Sequence, residues 1–272
     1  MTLVEGRRDR WVRYPLLLWL GIVLLVIYAP MGLVLLFSLN SGRFLTFPLE
    51  SFSLEWYQLL FADSTFVASL KNSLILSTSI SLTATSLGFL GAYALVHSHF
   101  RGKTLLTQFL ITPLAVPGIL LGMALRVYCF RLGWQFSLFT AFLGHLLVAL
   151  PLAVLLLRAR IQQIPLSLEE AAWNLGAQRW RSLLEIVLPL CLPGLIASLL
   201  LTFTLSFDEF IIAYLLTQFE ITLPIKIWTL LITGFDPTVN AIGSLVFLLS
   251  LSVALMAQLL LFKREKDTGG GG

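Results

Sequence analysis

The fold of this chain is decided by residues 165–189, which read PLSLEEAAWNLGAQRWRSLLEIVLP. Ser167 and Glu170 have the spacing of a capping box, in which each side chain accepts a hydrogen bond from the other residue's backbone N–H. A short helix is therefore predicted to begin at Ser167. It is predicted to end at Gly176, because glycine readily adopts the left-handed conformation that closes helices.

A second, amphipathic helix is predicted over Gln178–Val187, with a break at Pro189. Its apolar face is formed by Trp180, Leu183, Leu184 and Val187, and its polar face by Arg179, Arg181 and Glu185. Residues 165–189 are thus predicted to form two short helices around a glycine turn, outside the lipid. The alternative is an amphipathic linker that lies on the membrane surface.

The composition around this segment indicates an integral membrane protein. Hydrophobic residues make up 58% of the 272 residues and charged residues only 12%, whereas soluble domains carry roughly 25% charged residues. The mean hydropathy is +0.91. Lys and Arg lie between long apolar runs instead of clustering on one face, which argues against a nucleic-acid-binding protein.

About six transmembrane helices are predicted, since each needs roughly 20 mainly apolar residues. The predicted spans are Pro15–Leu39, Phe66–Val96, Leu105–Leu125, Trp134–Leu157, Leu190–Thr217 and Ala241–Phe262. The first apolar run is longer than that of a signal peptide, so it is predicted to be a retained helix. The sequence therefore predicts an all-α membrane protein.

The basic residues predict that both termini are cytoplasmic. The predicted inner segments hold thirteen of the 18 Lys and Arg residues: Arg7, Arg8, Arg10, Arg13, Arg101, Lys103, Arg158, Arg160, Arg179, Arg181, Lys263, Arg264 and Lys266. The domain prediction is a cytoplasmic N-terminus (1–14), a transmembrane domain (15–262) with a long cytoplasmic stretch (158–189), and a cytoplasmic tail (263–272). Gly269–Gly272 is interpreted as a flexible end or a tag remnant.

The cytoplasmic stretch resembles a known signature. The pattern Glu170-Ala171-Ala172, Gly176 and Ile186-x-Leu188-Pro189 resembles the "EAA" motif of permease subunits in binding-protein-dependent ABC importers. The resemblance implies a type I importer permease fold with a cytoplasmic coupling helix that docks into a cleft of an ATPase. It assigns ATPase coupling to Glu170, Ala171, Ala172, Gly176, Ile186 and Pro189.

Other segments are similar to the C-type permease subunits of spermidine/putrescine importers. These segments are Ser38–Ser41, Arg101–Lys103, Ser206–Glu209 and Leu223–Ile227. The resemblance implies a polyamine importer in a prokaryotic plasma (inner) membrane. The implied partners are a second permease subunit, two ATPase subunits, an extracytoplasmic solute-binding protein and membrane lipid, but no nucleic acid. Iron, sulfate, molybdate or an opine remain alternative solutes.

The resemblance also implies a transport subunit, not an enzyme. ATP and Mg²⁺ would be bound by the partner ATPase, and no cofactor is expected in this chain. Gly102-Lys103-Thr104 resembles the end of a phosphate-binding loop, but the glycine required five residues earlier is His97. Two rival functions are a secondary transporter, which would require internal repeats and midplane charges, and an intramembrane enzyme, which would require a catalytic pair.

Asp208 and Glu209 are candidate residues of the translocation path. They lie inside the predicted fifth span, where an acidic group costs roughly 2.5–3.5 kcal/mol. They are predicted to attract a cationic solute, or alternatively to make an interhelical polar bond or lie near the water interface. Which of the two faces the path stays open.

Three further features receive structural interpretations. His145 stands alone in the fourth span and is predicted to be a hydrogen-bonded core histidine. Cys129 and Cys191 lack a metal-ligand spacing, so no metal site is expected. The Ser and Thr residues of the second span are predicted to allow close helix packing, with a wet path as the alternative.

Overall fold

The computed structural model describes residues 5–234 and 236–269 and is almost entirely helical. The helices are α1 (Glu5–Ser38), α2 (Glu55–Ala62), α3 (Ser64–His97), α4 (Lys103–Ala115), α5 (Gly118–Arg131), α6 (Leu138–Ile161), α7 (Leu166–Asn174), α8 (Arg179–Ser182), α9 (Leu188–Asp208), α10 (Ile211–Leu216), α11 (Leu223–Thr233) and α12 (Thr238–Gly269). A π-helical turn, Leu183–Val187, joins α8 to α9. Within the described residues, extended pairing is limited to an isolated bridge between Asn40 and Phe52, which confirms the all-α prediction.

Four described segments are long and apolar enough to cross a membrane. They are Arg13–Ser38, Ser64–His97, Leu138–Ile161 and Arg179–Asp208, and the bent pair α4–α5 makes a fifth if it is one broken span. Of the sixth predicted span, the residues up to Ser252 lie in a shorter apolar helix. Most side chains beyond Ser252 lie outside the described residues, as do residues 1–4 and 270–272 of the predicted terminal segments.

The predicted third span is wrong as a single straight helix. α4 and α5 meet at an angle of 102°. Val116 is extended, with φ −85° and ψ 130°, directly before Pro117. A proline clashes with a helical conformation of the residue before it, so Val116 leaves the helix and the chain changes direction there.

The predicted fifth span is also wrong at both of its ends. The break predicted at Pro189, between the helix at Gln178–Val187 and this span, does not occur. Pro189 lies in the first turn of α9, where its missing N–H is tolerated. The π-helical turn just before it keeps the helix continuous from Arg179. At the other end α9 stops at Asp208, since Glu209 is extended with φ −72° and ψ 112°.

The described residues within 1–63 and 230–249 form one compact unit. In it, the loop after α1 is held by hydrogen bonds: the Trp56 indole N–H donates to the Asn40 carbonyl at 2.6 Å. The Tyr57 hydroxyl pairs with Ser38 Oγ at 2.8 Å and with Ser244 Oγ at 2.6 Å. These bonds fasten the end of α1 to α2 and to the first part of α12.

The described residues within 64–229 and 250–272 form the other unit, and α3, α6 and α9 make its core. A buried row of small polar residues lines one face of α3: Ser69, Ser73, Ser77, Ser81 and Thr85. Thr85 Oγ1 lies 3.0 Å from Ser198 Oγ of α9. A Cβ at Gly88 would lie 2.8 Å from Ala153 Cβ of α6. The prediction of close packing by the small residues of this span is confirmed.

The outward faces of these helices are apolar. Leu82, Leu90 and Phe109 are 55%, 54% and 77% exposed, and the most apolar stretch of Arg13–Ser38 is 0% buried. Exposed apolar area of this extent marks a surface that contacts lipid or partner subunits. It agrees with the prediction of an integral membrane protein.

Candidate functional site

The candidate site begins with residues 165–189, here named the motif segment. Its first helix, α7, starts at Leu166 and follows Pro165, with no side-chain hydrogen bond at the N-cap. The predicted capping box of Ser167 and Glu170 is therefore wrong. Pro165, with φ −60°, leads the chain into the helix one residue earlier, and so Ser167 lies inside the first turn with an exposed side chain.

The end of α7 is as predicted. Gly176 has φ +90°, the left-handed region in which a side chain costs roughly 1–2 kcal/mol. The Gly176 N–H donates to the Trp173 carbonyl, and the Ala177 N–H donates to the Ala172 carbonyl, both at 2.9 Å. This pair of bonds is a Schellman motif, which satisfies the last free carbonyls of the helix.

Most residues of the EAA pattern lie on the surface. Glu170, Ala171, Gly176 and Pro189 are exposed, whereas Ala172 and Ile186 are half-buried. Leu175, next to the glycine turn, is 90% exposed. The motif segment thus presents an apolar tip bordered by small residues and one free carboxylate.

The second half of the motif segment departs from its predicted amphipathic pattern. Val187 is buried, but Trp180 and Leu184 are 61% and 49% exposed. The π-helical turn carries hydrogen bonds that span five residues, so the 3.6-residue periodicity does not hold across it. On the predicted polar face, Arg181 Nε donates to Glu185 Oε1 at 2.8 Å, and both side chains are exposed.

A buried carboxylate that the sequence did not indicate lies on the inner face of α7. Glu169 is only 1% exposed. Its Oε1 lies 2.7 Å from His97 Nε2, and its Oε2 accepts hydrogen bonds from the Tyr93 hydroxyl at 2.8 Å and from Ser182 Oγ at 3.3 Å. The Tyr93 and His97 rings are in contact, with their centroids 4.1 Å apart and their planes tilted by 31°. These four residues are named the Glu169 network.

A cavity of about 750 Å³ lies beside the Glu169 network. Its lining comes from the ends of α3 and α6 and from the motif segment, and includes His97, Pro165, Trp173, Arg179 and Trp180. The Arg179 guanidinium lies over the Trp173 ring, 5.4 Å from its centroid. Packing between α3 and the motif segment is therefore incomplete on this side.

The two acidic candidates lie at the break after α9, not within one helix. Asp208 is the last residue of α9 and is exposed. Glu209 is half-buried, and its Oε1 accepts a hydrogen bond from the Ile212 N–H at 3.1 Å, which caps α10. Asp208 therefore presents the freer carboxylate, and Glu209 holds the start of the next helix.

Aromatic rings flank this acidic pair. The Phe210 ring centroid lies 5.4 Å from that of Tyr214 and 5.5 Å from that of Trp228. Tyr214 and Trp228 are 52% and 45% exposed. Exposed aromatic faces attract organic cations. Asp208, Glu209 and these three aromatic residues are named the acidic and aromatic cluster. The contact between Phe210 and Trp228 was not predicted, because the two residues lie on different helices and meet only in the folded chain.

His145 and the two cysteines lie in the core. His145 is buried, and its Nδ1 lies 2.9 Å from Ser206 Oγ, which confirms the prediction of a hydrogen-bonded core histidine. Cys129 and Cys191 are free and buried. Within the described residues no three His, Cys, Asp or Glu side chains come close enough together to hold a metal ion.

Residues 84–266, which include the motif segment and the acidic pair, match the family described as "Binding-protein-dependent transport system inner membrane component". The chain belongs to this family. The permease is 32% identical over 248 residues to the spermidine/putrescine transport system permease protein PotC of Shigella flexneri. This alignment covers 90% of this chain and 92% of PotC. It is 29% identical over 268 residues to the putrescine transport system permease protein PotI of Escherichia coli strain K12, covering 94% of both chains.

The fold of the permease also resembles a solved transporter. A crystal structure of a bacterial ABC transporter involved in the import of the acidic polysaccharide alginate superposes with a TM-score of 0.74 at 19% sequence identity, over 96% of this chain and 98% of that chain. The prediction of an all-α importer permease fold is thereby confirmed.

Proposed function

We propose that this chain is the membrane-spanning subunit of an ATP-driven importer of polyamines, such as spermidine or putrescine. The observation that carries the proposal is the exposed helix–glycine turn–helix of the motif segment, in a chain that belongs to the binding-protein-dependent permease family. The likeness to PotC and PotI over at least 90% of the chain supports the polyamine substrate.

The motif segment acts as a lever that a separate ATPase moves. Its apolar tip at Leu175 enters a cleft of an ATPase subunit, where Ala171, Ala172 and Gly176 permit close approach and Glu170 is free to pair with a basic group. Ile186 and Pro189 continue the lever into α9. Closure of two ATPase subunits around ATP and Mg²⁺ moves the lever, and the helix bundle changes between inward-facing and outward-facing states.

The complete importer has further partners. A second permease subunit completes the path, and an extracytoplasmic binding protein delivers the solute at the outer loops. Both termini face the cytoplasm of a prokaryotic inner membrane, in keeping with the distribution of Lys and Arg. ATP hydrolysis belongs to the partner ATPase.

The acidic pair and its aromatic neighbours select the solute. A polyamine offers several ammonium groups joined by apolar carbon chains. The exposed Asp208 carboxylate attracts one ammonium group, while the Tyr214 and Trp228 rings contact the carbon chain and a second charge. The arrangement is less suited to an anion such as sulfate, which the carboxylates would repel.

Transport by the assembled complex in vesicles tests this function. We expect labelled spermidine to accumulate only with ATP on the ATPase side, and unlabelled putrescine, but not sulfate, to compete. Asp208→Asn should lower the uptake rate by about tenfold, since one favourable charge interaction of about 1.4 kcal/mol is lost. Glu55→Gln, at an exposed carboxylate on α2, is the control and should leave uptake unchanged. Uptake driven by an ion gradient without the ATPase would instead identify a secondary transporter.

A further inference from the structure

We infer that the Glu169 network is the tie through which movement of the motif segment reaches α3, and that α3 carries this movement as a rod to the acidic and aromatic cluster. This inference deepens the proposed function and rests on it. Glu169, His97 and Tyr93 would be positioning residues, because they act through α3 and do not contact the solute.

Glu169 is well placed to attach α7 to the core. It is the only fully buried side chain of α7, and the apolar side chains on the same face, Ala172 and Trp173, are only half-buried. The neighbouring cavity of about 750 Å³ further reduces apolar packing between α3 and the motif segment. The attachment therefore depends on hydrogen bonds to a carboxylate, which are roughly twice as strong as bonds between neutral groups.

The network spans three separate elements. His97 and Tyr93 lie in the last turns of α3, Glu169 in α7 and Ser182 in α8. Both carboxylate oxygens are engaged, Oε1 by His97 at 2.7 Å and Oε2 by Tyr93 at 2.8 Å. A displacement of α7 must therefore either pull the end of α3 or break bonds in a buried site, where unpaired polar groups are costly.

The opposite part of α3 contacts the start of α11. Ser73 Oγ accepts a hydrogen bond from the Leu223 N–H at 2.8 Å, and Asn72 Nδ2 donates to the Ile221 carbonyl at 3.0 Å. Leu223 begins α11, which also carries Trp228 of the aromatic cluster. At 1.5 Å per residue, the helix between Ser73 and Tyr93 is about 30 Å long.

An importer reconstituted with its ATPase tests the tie through two quantities, the rate of ATP hydrolysis and the amount of spermidine taken up per ATP. Glu169→Gln and His97→Gln keep similar side-chain volumes but remove the charge-assisted bond. For each we expect ATPase binding and hydrolysis to persist and uptake per ATP to fall by about tenfold. His99→Gln, at an exposed histidine two residues further on, is the matched control and should behave as the wild type.

The exchanged pair His97→Glu with Glu169→His separates a tie from a merely stabilising contact. Because it restores a hydrogen bond between an imidazole and a carboxylate, it should recover most of the lost uptake per ATP. Unchanged uptake per ATP in both single variants would overturn the inference, as would loss of ATPase binding in them or no recovery in the exchanged pair. If the wild-type complex itself neither binds an ATPase nor takes up spermidine, the proposed function fails, whatever the variants do.

Discussion

Two neighbouring glutamates of α7 have opposite environments. Glu169 is buried among His97, Tyr93 and Ser182, whereas Glu170 is exposed. Successive residues of a helix point about 100° apart, so the rotation of a short helix about its axis decides which of the two carboxylates faces the interior. Here Glu169 shares the inward face with Ala172 and Trp173, three and four residues further on, and both are half-buried.

Gly176 gives a prediction at the same scale. Its φ of +90° is unfavourable for any residue with a Cβ, although open space surrounds the Cβ position. We expect Gly176→Ala to destabilise the end of α7 by about 1–2 kcal/mol, seen as faster proteolysis at residues 174–178 and weaker co-purification of the ATPase. Gly118→Ala is the control, since it has equally open space but no positive φ. Equal behaviour of the two variants would show that the turn conformation is unimportant.

At the scale of elements, three prolines have different effects on the helices that contain or follow them. Pro117 interrupts a predicted span with a bend of 102°, whereas Pro189 lies in a continuous helix and Pro165 precedes α7. The residue type is the same in each case. The outcome depends on the backbone of the preceding residues and on the packing around them, which the sequence does not reveal.

The candidate site shows the same dependence on packing between distant residues. The glycine turn at Gly176 was predictable, because it follows from local backbone chemistry. The Glu169 network was not, because it joins residues about 70 positions apart and depends on where α7 begins. The predicted capping box placed that start one residue too late.

Packing of α3 against α6 gives a prediction at this scale. A Cβ at Gly88 would lie 2.8 Å from Ala153 Cβ, whereas a Cβ at Gly91 would lie 3.7 Å from Val154 Cγ2. We expect Gly88→Ala to destabilise the permease by about 1–3 kcal/mol through overpacking. Gly91→Ala, one turn away on the same helix, should be near neutral. The thermal unfolding midpoint of the purified protein measures both, and a smaller loss for Gly88→Ala than for Gly91→Ala would refute the packing argument.

At the scale of the whole molecule, the proposed function assigns this chain two parts, a transport path and a lever. In that proposal, Asp208 and its exposed aromatic neighbours bind the cationic solute, and the exposed tip at Leu175 binds the ATPase. In the proposed importer the energy source is a separate ATPase, so transport depends on force delivered at the motif segment.

The most direct test of this account is a site-specific cross-link from the tip of the lever. Leu175→Cys places a reactive thiol at a side chain that is 90% exposed, while the native Cys129 and Cys191 are buried. In the assembled importer we expect this thiol to cross-link to the ATPase subunit. Phe219→Cys should not, because this residue is 87% exposed and lies in the loop between α10 and α11, which is predicted to be on the opposite side of the membrane. A thiol at position 175 that reacts only with lipid-phase reagents, or that never reaches the ATPase, would contradict the account.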